Sequence, residues 1–466
     1  MTGFKRSLSL LDAVMLVSGS MIGSGIFIVS ASMMRSLGSP LWLIVAWVVA
    51  GLLTVMAALS YGELAGMMPK AGGQYVYIQR AYGRLPAFLY GWTVFTVIQT
   101  GVIAAVAVAF AKFTAVFFPV LGEDNILLAV GRFRVNAAQL FAIASIVLLT
   151  AFNARGVREG KTLQTVFTLA KIVALLALIA VGLAVGLGKP VFADNFAIGW
   201  DAKPFTEGAA GDLAPLTGIA LLSALGVAMV GSLFSSDAWN NVTFIAGEIK
   251  DPQRNIPRSL FLGTAIVTGL YVLANLAYLS LLPVVDIQQA AADRVGTAAA
   301  SVIFGDAAVY IMAALIMVST FGCNNGIILA GARLYYAMAQ DGLFFKRAGV
   351  LNQASVPGFA LWIQCIWACA LCFSGTYGEL LNYVTFASLL FYLVTVAGLF
   401  RLRSTEPDAP RPYRVWGWPW MPALYILCAS AFCVNLLFRE PVHTVAGLAI
   451  VAVGGVVYLL RKQRTA

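Results

Sequence analysis

Apolar runs separated by short polar stretches recur from one end of the chain to the other. A hydrocarbon core about 30 Å thick is crossed by roughly 20 apolar residues of helix. Runs of about that length or longer predict twelve transmembrane helices, near 11–36, 40–68, 86–118, 135–153, 162–187, 215–246, 258–284, 307–339, 357–375, 379–402, 416–438 and 441–460. The runs are too long, and too poor in strict alternation, for a barrel. Helices also satisfy their own backbone hydrogen bonds, which lipid cannot do for them. The expected class is an all-α polytopic membrane protein with one membrane domain over residues 1–466. The first run is too long for a cleavable leader, is polar in its middle, and is followed at once by another span.

Two spans have centres unsuited to lipid. The first holds Ser18-Gly19-Ser20-Met21-Ile22-Gly23-Ser24-Gly25-Ile26-Phe27, and the sixth holds Gly231-Ser232-Leu233-Phe234-Ser235-Ser236-Asp237. Gly19 and Gly23 alone would also fit a helix-packing pair. Two such clusters, five spans apart, fit a five-plus-five inverted repeat in which the first helix of each half is broken. On that reading the first repeat runs over about 8–187 and the second over about 213–402. Two further helices at the C-terminal end cover about 416–460.

A broken helix at mid-membrane suits a zwitterion. Amides freed at Ser24, Gly25, Ile26 and Phe27 would take a carboxylate. Glycine leaves the backbone approachable because it has no Cβ. Carbonyls freed near Met21–Ile22 and Phe234–Ser235 would take an ammonium. Ser24 in an intact helix would instead bond back to its own backbone.

Composition sharpens this picture. The chain is 61% hydrophobic and 11% charged, with a net charge of +10. Counted with the N-terminus in the cytoplasm, 21 Lys and Arg fall on that side and 7 on the other, with Lys112 and Lys171 inside spans. That bias puts both termini in the cytoplasm of a cell (inner) membrane. The charge is therefore topological, and nucleic acid is not expected as a partner. Lys171 lies about nine residues, roughly 14 Å, into the fifth span, beyond the full reach of snorkelling. An ionisable group at that depth is a functional candidate, the alternative being a structural tether between helices. Carbonyls of the first span and the hydroxyls of Ser319 or Thr320 in the eighth are its expected partners. Asp237 has two compatible readings: a ligand for an ammonium or a proton, or a cap for the second half of the sixth helix. Phe234 is large enough to cover a ligand, although packing is the commoner fate of a membrane Phe. The six cysteines all lie in apolar spans and read as packing residues. His443, the one histidine, sits near a span end. With no nucleophile and base pair and no metal-ligand cluster, neither an enzyme nor a cofactor is expected. A channel is disfavoured because no filter repeats around an axis.

Four segments together carry a resemblance. They are Gly23-Ser24-Gly25-Ile26-Phe27; Pro69-Lys70-Ala71-Gly72-Gly73-Gln74-Tyr75-Val76-Tyr77; Asp237-Ala238-Trp239-Asn240-Asn241, continuing to Glu248 and Asp251-Pro252-Gln253-Arg254-Asn255-Ile256-Pro257; and Phe321-Gly322-Cys323-Asn324-Asn325-Gly326 with Arg333-Leu334-Tyr335-Tyr336. From about residue 8 to 460 the chain resembles the amino acid–polyamine–organocation superfamily, and within it the L-type amino acid transporters and their bacterial relatives. The resemblance implies sodium-independent, alternating-access exchange of neutral L-amino acids. It implies that Ser24, Gly25 and Ile26 hold the carboxylate, and that Ile22, Phe234 and Ser235 hold the amine through carbonyls. Phe234 would be the gate, Asn240 would support the unwound sixth span, and Lys171 would stand at a vacant sodium position.

Two departures qualify the likeness. The loop Phe118–Gln139 has no cysteine, so no disulfide-linked heavy-chain partner is expected. Asp237 stands where animal carriers of large substrates have glycine, which leaves room for cationic substrates. A proton-coupled symporter remains open, since Lys171 also occurs in proton-coupled members. A cationic amino acid or polyamine carrier would call for more central acidic residues.

Overall fold

A computed structural model describes residues 4–130, 133–205, 215–373 and 377–463. The chain is predominantly helical, and among the described residues nine helices are long and apolar enough to cross a membrane. Of three shorter apolar helices, Leu10–Met21 covers only the first part of the first predicted span, and Gly358–Leu371 and Thr444–Leu460 fall within the ninth and twelfth. Arg132, the repeat boundary near 213 and the end of the ninth span at 374–375 lie outside the described residues, as does the side chain of His443.

Local chemistry sets where these helices begin and end. Ser9 and Asp12 form a capping box ahead of Leu10–Met21, and Asn136 and Gln139 form one ahead of Ala137–Arg155. Each box satisfies two backbone amides that have no partner within the helix. Pro40 opens Pro40–Met67 behind a Ser39 cap, a position where its missing N–H costs nothing. Pro252–Leu281 starts six residues before the predicted seventh span and carries Pro257 in its second turn. The apolar pattern starts later because a proline ordinarily marks a helix boundary.

Structure not anticipated from the apolar pattern lies between the long helices. A two-stranded antiparallel hairpin pairs Ile126–Val130 with Phe133–Asn136. The Gly188–Pro215 stretch holds the helix Pro190–Ala197. Short helices Val284–Gln288 and Val295–Phe304 precede Ala308–Gln340. Arg333, one of the 21 charges counted on the cytoplasmic side, is fully buried in Ala308–Gln340, and its Nε lies 2.8 Å from the equally buried Glu248 carboxylate.

Two polar ties join distant parts of the chain. The Glu63 carboxylate accepts from Arg403 Nε at 2.9 Å, Arg403 Nη2 at 2.6 Å and the Val415 amide at 2.7 Å. This ties the Pro- and Arg-rich connection at 401–416, with Pro407, Pro410 and Pro412, to Pro40–Met67. At the N-terminal end, the Ser7 and Leu8 amides bond the Glu248 carbonyl at 2.9 and 3.0 Å, and the Lys250 amide bonds the Leu8 carbonyl at 2.8 Å. The segment entering the first helix is thereby stitched to the one leaving the sixth.

Candidate functional site

The first predicted span is interrupted where the sequence is richest in Gly and Ser. Leu10–Met21 ends with Ile22 in extended backbone, a single 3-10 turn covers Gly25–Phe27, and Val29–Leu37 resumes the helix. Such an end strands carbonyls that have no partner in the helix, and here other helices supply the donors. Lys171, 1% exposed, points all three of its N–H bonds at carbonyls: Gly19 at 2.6 Å, Ile22 at 2.7 Å and Ser319 at 3.2 Å. The Ser319 hydroxyl lies 3.1 Å from the Ile22 carbonyl and 2.9 Å from that of Gly23. Cys323 Sγ donates to the Ser20 carbonyl at 2.9 Å. The Tyr271 hydroxyl lies 3.1 Å from the Met21 carbonyl and 3.0 Å from the Ser235 carbonyl, its one proton shared between them. A buried ammonium is costly unless all its donors are matched, and Lys171 meets that condition.

The partners of Lys171 differ in detail from those expected. In Ala308–Gln340 it bonds the Ser319 carbonyl, not a hydroxyl, and Thr320 turns its own hydroxyl back to Ile316 and Met317. The Ile22 carbonyl already accepts from Lys171 and Ser319, so both of its lone pairs are engaged.

The sixth predicted span breaks differently. Gly218–Ser235 ends, Ala238 takes a left-handed φ of 65°, and a single turn over Asn241–Phe244 follows. Here the side chains of the break reach outward. Asp237 and Asn240 both accept from the Tyr392 hydroxyl, Asn240 donates to Gln74 at 3.0 Å, and Gln74 donates to Thr395 at 3.0 Å. Asp237 caps no helix: the turn over Asn241–Phe244 has no side-chain cap. Three carboxylates illustrate its singularity. Glu63 and Glu248 are buried against arginines, whereas half-buried Asp237 is matched by a tyrosine hydroxyl and, among the described residues, by no cation.

The two breaks meet. A Cβ added to Gly25 would stand 2.2 Å from Ser235 Oγ and 2.9 Å from its Cβ, so only glycine permits this approach. Gly19, by contrast, is a packing glycine, since its added Cβ would meet Thr168 and Gln164 at 2.1 and 2.2 Å. Among the described residues, the Gly25 and Ile26 amides make no backbone hydrogen bond. Phe234, half-buried, lines a cavity of about 30 Å³ beside Asp237, and a second of about 20 Å³ lies on the side of Asn240 and Gln74. That is room for a water or so each. A larger occupant requires the walls of these cavities to move apart.

Gly25 and Ser235 are thus brought together at one junction, with Ser24 and Ile26 buried on either side of Gly25 and with Ile22, Lys171 and Ser319 behind the first break, while Phe234, Asp237 and Asn240 line the two small cavities at the sixth. Tyr271, Tyr392, Gln74 and Cys323 hydrogen-bond the two breaks, and the apolar pattern assigns them no role. Gln74 and Cys323 carry a signal, as parts of the Pro69–Tyr77 and Phe321–Gly326 segments. The Phe321–Gly326 segment serves from behind: Asn325 accepts from Asn153 at 2.9 Å and donates to the Gly160 carbonyl at 3.1 Å and to Gln164 at 2.9 Å.

Comparison with known proteins gives a consistent answer. Residues 8–460 match the family described as amino acid permease. The chain is 30% identical over 450 residues to the b(0,+)-type amino acid transporter 1 of Mus musculus, covering 94% of this chain and 84% of that protein. It is 30% identical over 472 residues to the large neutral amino acids transporter small subunit 2 of Oryctolagus cuniculus, covering 98% and 80%. Its identity to the Homo sapiens protein of that name is also 30%, over 463 residues. A multi-pass helical protein whose broken helices meet at a Gly25–Ser235 junction, and whose likeness to these transporters runs almost end to end, belongs to the amino acid permease family of the amino acid–polyamine–organocation superfamily.

Proposed function

We infer that this chain is a sodium-independent, alternating-access exchanger of neutral L-amino acids in a cell (inner) membrane, with both termini cytoplasmic. Its twelve spans form a single membrane domain, arranged as two inverted repeats of five and two added helices. The substrate carboxylate is taken by the amides of Ser24, Gly25 and Ile26. Its ammonium is taken at the sixth break by the Phe234 and Ser235 carbonyls and the Asp237 carboxylate, with Asn240 and Tyr392 bracing that segment. Ile22 contributes by holding Lys171, and Phe234 covers the occupied site.

The observation that carries this reading is the Lys171 ammonium on the Gly19, Ile22 and Ser319 carbonyls. A helix broken there leaves a cluster of inward carbonyls that calls for a cation. Lysine supplies it permanently, so no dissolved cation has to bind with each substrate. Exchange follows from the junction: a zwitterion spanning both breaks joins the two helices, and an empty carrier lacks that bridge. The relatives' printed names, one of them for large neutral amino acids, favour a neutral substrate. No cysteine in 118–139 offers a disulfide to a second subunit.

Proton-coupled symport is a second reading, favoured by one observation: among the described residues, Asp237 has no cationic partner. Uptake of labelled neutral amino acids into proteoliposomes without ion gradients decides between them. Exchange predicts uptake only into vesicles preloaded with unlabelled amino acid. Equal uptake into empty and preloaded vesicles would sink it, and rescue by an inward proton gradient would establish symport.

A further inference from the structure

Away from the breaks, a cavity of about 1340 Å³ opens on the flank of the molecule. It lies between Pro40–Met67, the first turns of Pro252–Leu281 and the segment leading into Trp420–Arg439. Small-molecule pockets run to roughly 300–1,000 Å³, so this is space for something longer. The wall is apolar, and Leu52, Phe261 and Leu424 on it are 54%, 44% and 51% exposed. Tyr413 closes its base, wedged against Gly62 and Gly66.

The polar groups are not scattered. Arg254 and Arg258 lie one turn apart at the start of Pro252–Leu281, both exposed, and neither has an ion pair or side-chain hydrogen bond among the described residues. Phe261 is seven residues beyond Arg254, roughly 10 Å deeper at 1.5 Å per residue. Trp416 and Trp420, 78% and 80% exposed, flank the groove as tryptophans do at a membrane interface. One end is therefore cationic and the rest runs into hydrocarbon.

We propose that this groove binds an anionic glycerophospholipid, its phosphate on Arg254 and Arg258 and its acyl chains along Leu52, Met56, Phe261 and Leu424. Basic pockets between membrane helices select acidic headgroups because each arginine near the surface adds attraction for them. A zwitterionic lipid brings its own cation to the same arginines and gains less. A protein helix laid in the groove would dehydrate two unpaired guanidiniums, which is costly. The site is separate from the substrate junction and does not depend on how the carrier is coupled.

The test uses the full-length purified protein, delipidated and then titrated with phosphatidylglycerol, phosphatidylcholine or inorganic phosphate, with bound lipid counted by native mass spectrometry. Phosphatidylglycerol is expected to be retained on the order of tenfold better than phosphatidylcholine. R254Q/R258Q should lose that preference, and R258Q alone should lose part of it if the double variant does not fold. Leu52→Trp, which fills the groove without touching charge, should lower retention of both lipids. Equal retention of the two lipids by the unaltered protein would overturn the proposal, as would an undiminished preference in R254Q/R258Q. Displacement of phosphatidylglycerol by inorganic phosphate at matched concentration would also overturn it, marking a free-anion site. So would a co-purified polypeptide in the groove in place of lipid.

Discussion

The two broken helices are held by opposite means. At the first break it is the backbone that is held: the carbonyls of Gly19, Ser20, Met21, Ile22 and Gly23 each accept from a side chain of another helix. At the sixth, apart from the Ser235 carbonyl that shares the Tyr271 proton, it is the side chains that do the holding, Asp237 and Asn240 reaching out to Tyr392 and Gln74. A backbone pinned from outside has one geometry and loses it when a donor is removed. A segment anchored by its own side chains can re-aim when they change partners. The first break is thus the more fixed of the two, and the sixth the more adaptable.

Lys171→Ala should test this contrast most severely. It leaves the Gly19 carbonyl unmatched, and a buried unmatched polar group costs about 1–3 kcal/mol. Amino acid transport should fall by up to about 100-fold in protein that still purifies as a single species. Normal flux would remove Lys171 from the mechanism. Gly25→Ala comes next. Forcing a methyl group against Ser235 costs about 1–3 kcal/mol, a loss of roughly 30-fold, and Ser235→Gly in the same chain should recover most of it. If the double variant is no better than Gly25→Ala, the two breaks do not press on each other there.

Tyr271→Phe removes a proton shared by both breaks, worth about 1 kcal/mol, and should slow transport several-fold at unchanged folding. Tyr392→Phe touches the sixth break only. Its expected mark is a few-fold change in relative rates for cationic against neutral amino acids, because Asp237 loses its hydroxyl donor. Should Tyr392→Phe impair every substrate as much as Lys171→Ala does, the adaptable character assigned to the sixth break is wrong. Ser319→Ala should slow labelled amino acid uptake several-fold, as Tyr271→Phe does, since its carbonyl stays for Lys171 while the Gly23 carbonyl loses its shared hydroxyl donor, worth about 1 kcal/mol.

The helices are legible in the sequence because hydrocarbon thickness and apolar run length are the same quantity in two units. The breaks are legible because Gly and Ser cannot be explained by lipid, and Lys171 because a charge at that depth needs a reason. What stays hidden depends on rotation about helix axes. Tyr271 and Tyr392 look like any aromatic in an apolar run, and the period of the run does not say which neighbour they face. Cys323 looks like packing, the usual fate of a cysteine in a membrane helix, and its hydrogen bond follows only from the stranded Ser20 carbonyl. Arg333 looks like a snorkelling charge, as a lone arginine near a span end ordinarily is, and Glu248, which neutralises it, lies 85 residues away. The connecting helices at 190–197, 284–288 and 295–304 are too short for periodicity to announce.

The stitch between Leu8 and Ile249 makes residues 7 and 8 a working part of the machine and not a tail. Two levers coupled at one end cannot tilt independently: a displacement imposed on one is delivered to the other. For an engineer, a fusion placed ahead of Phe4 leaves that coupling intact, whereas a cut or insertion between Ser7 and Ser9 would let each helix swing alone. Such a chain would keep its Lys171 and Arg333 anchors, yet lose the mechanical link between the two broken segments.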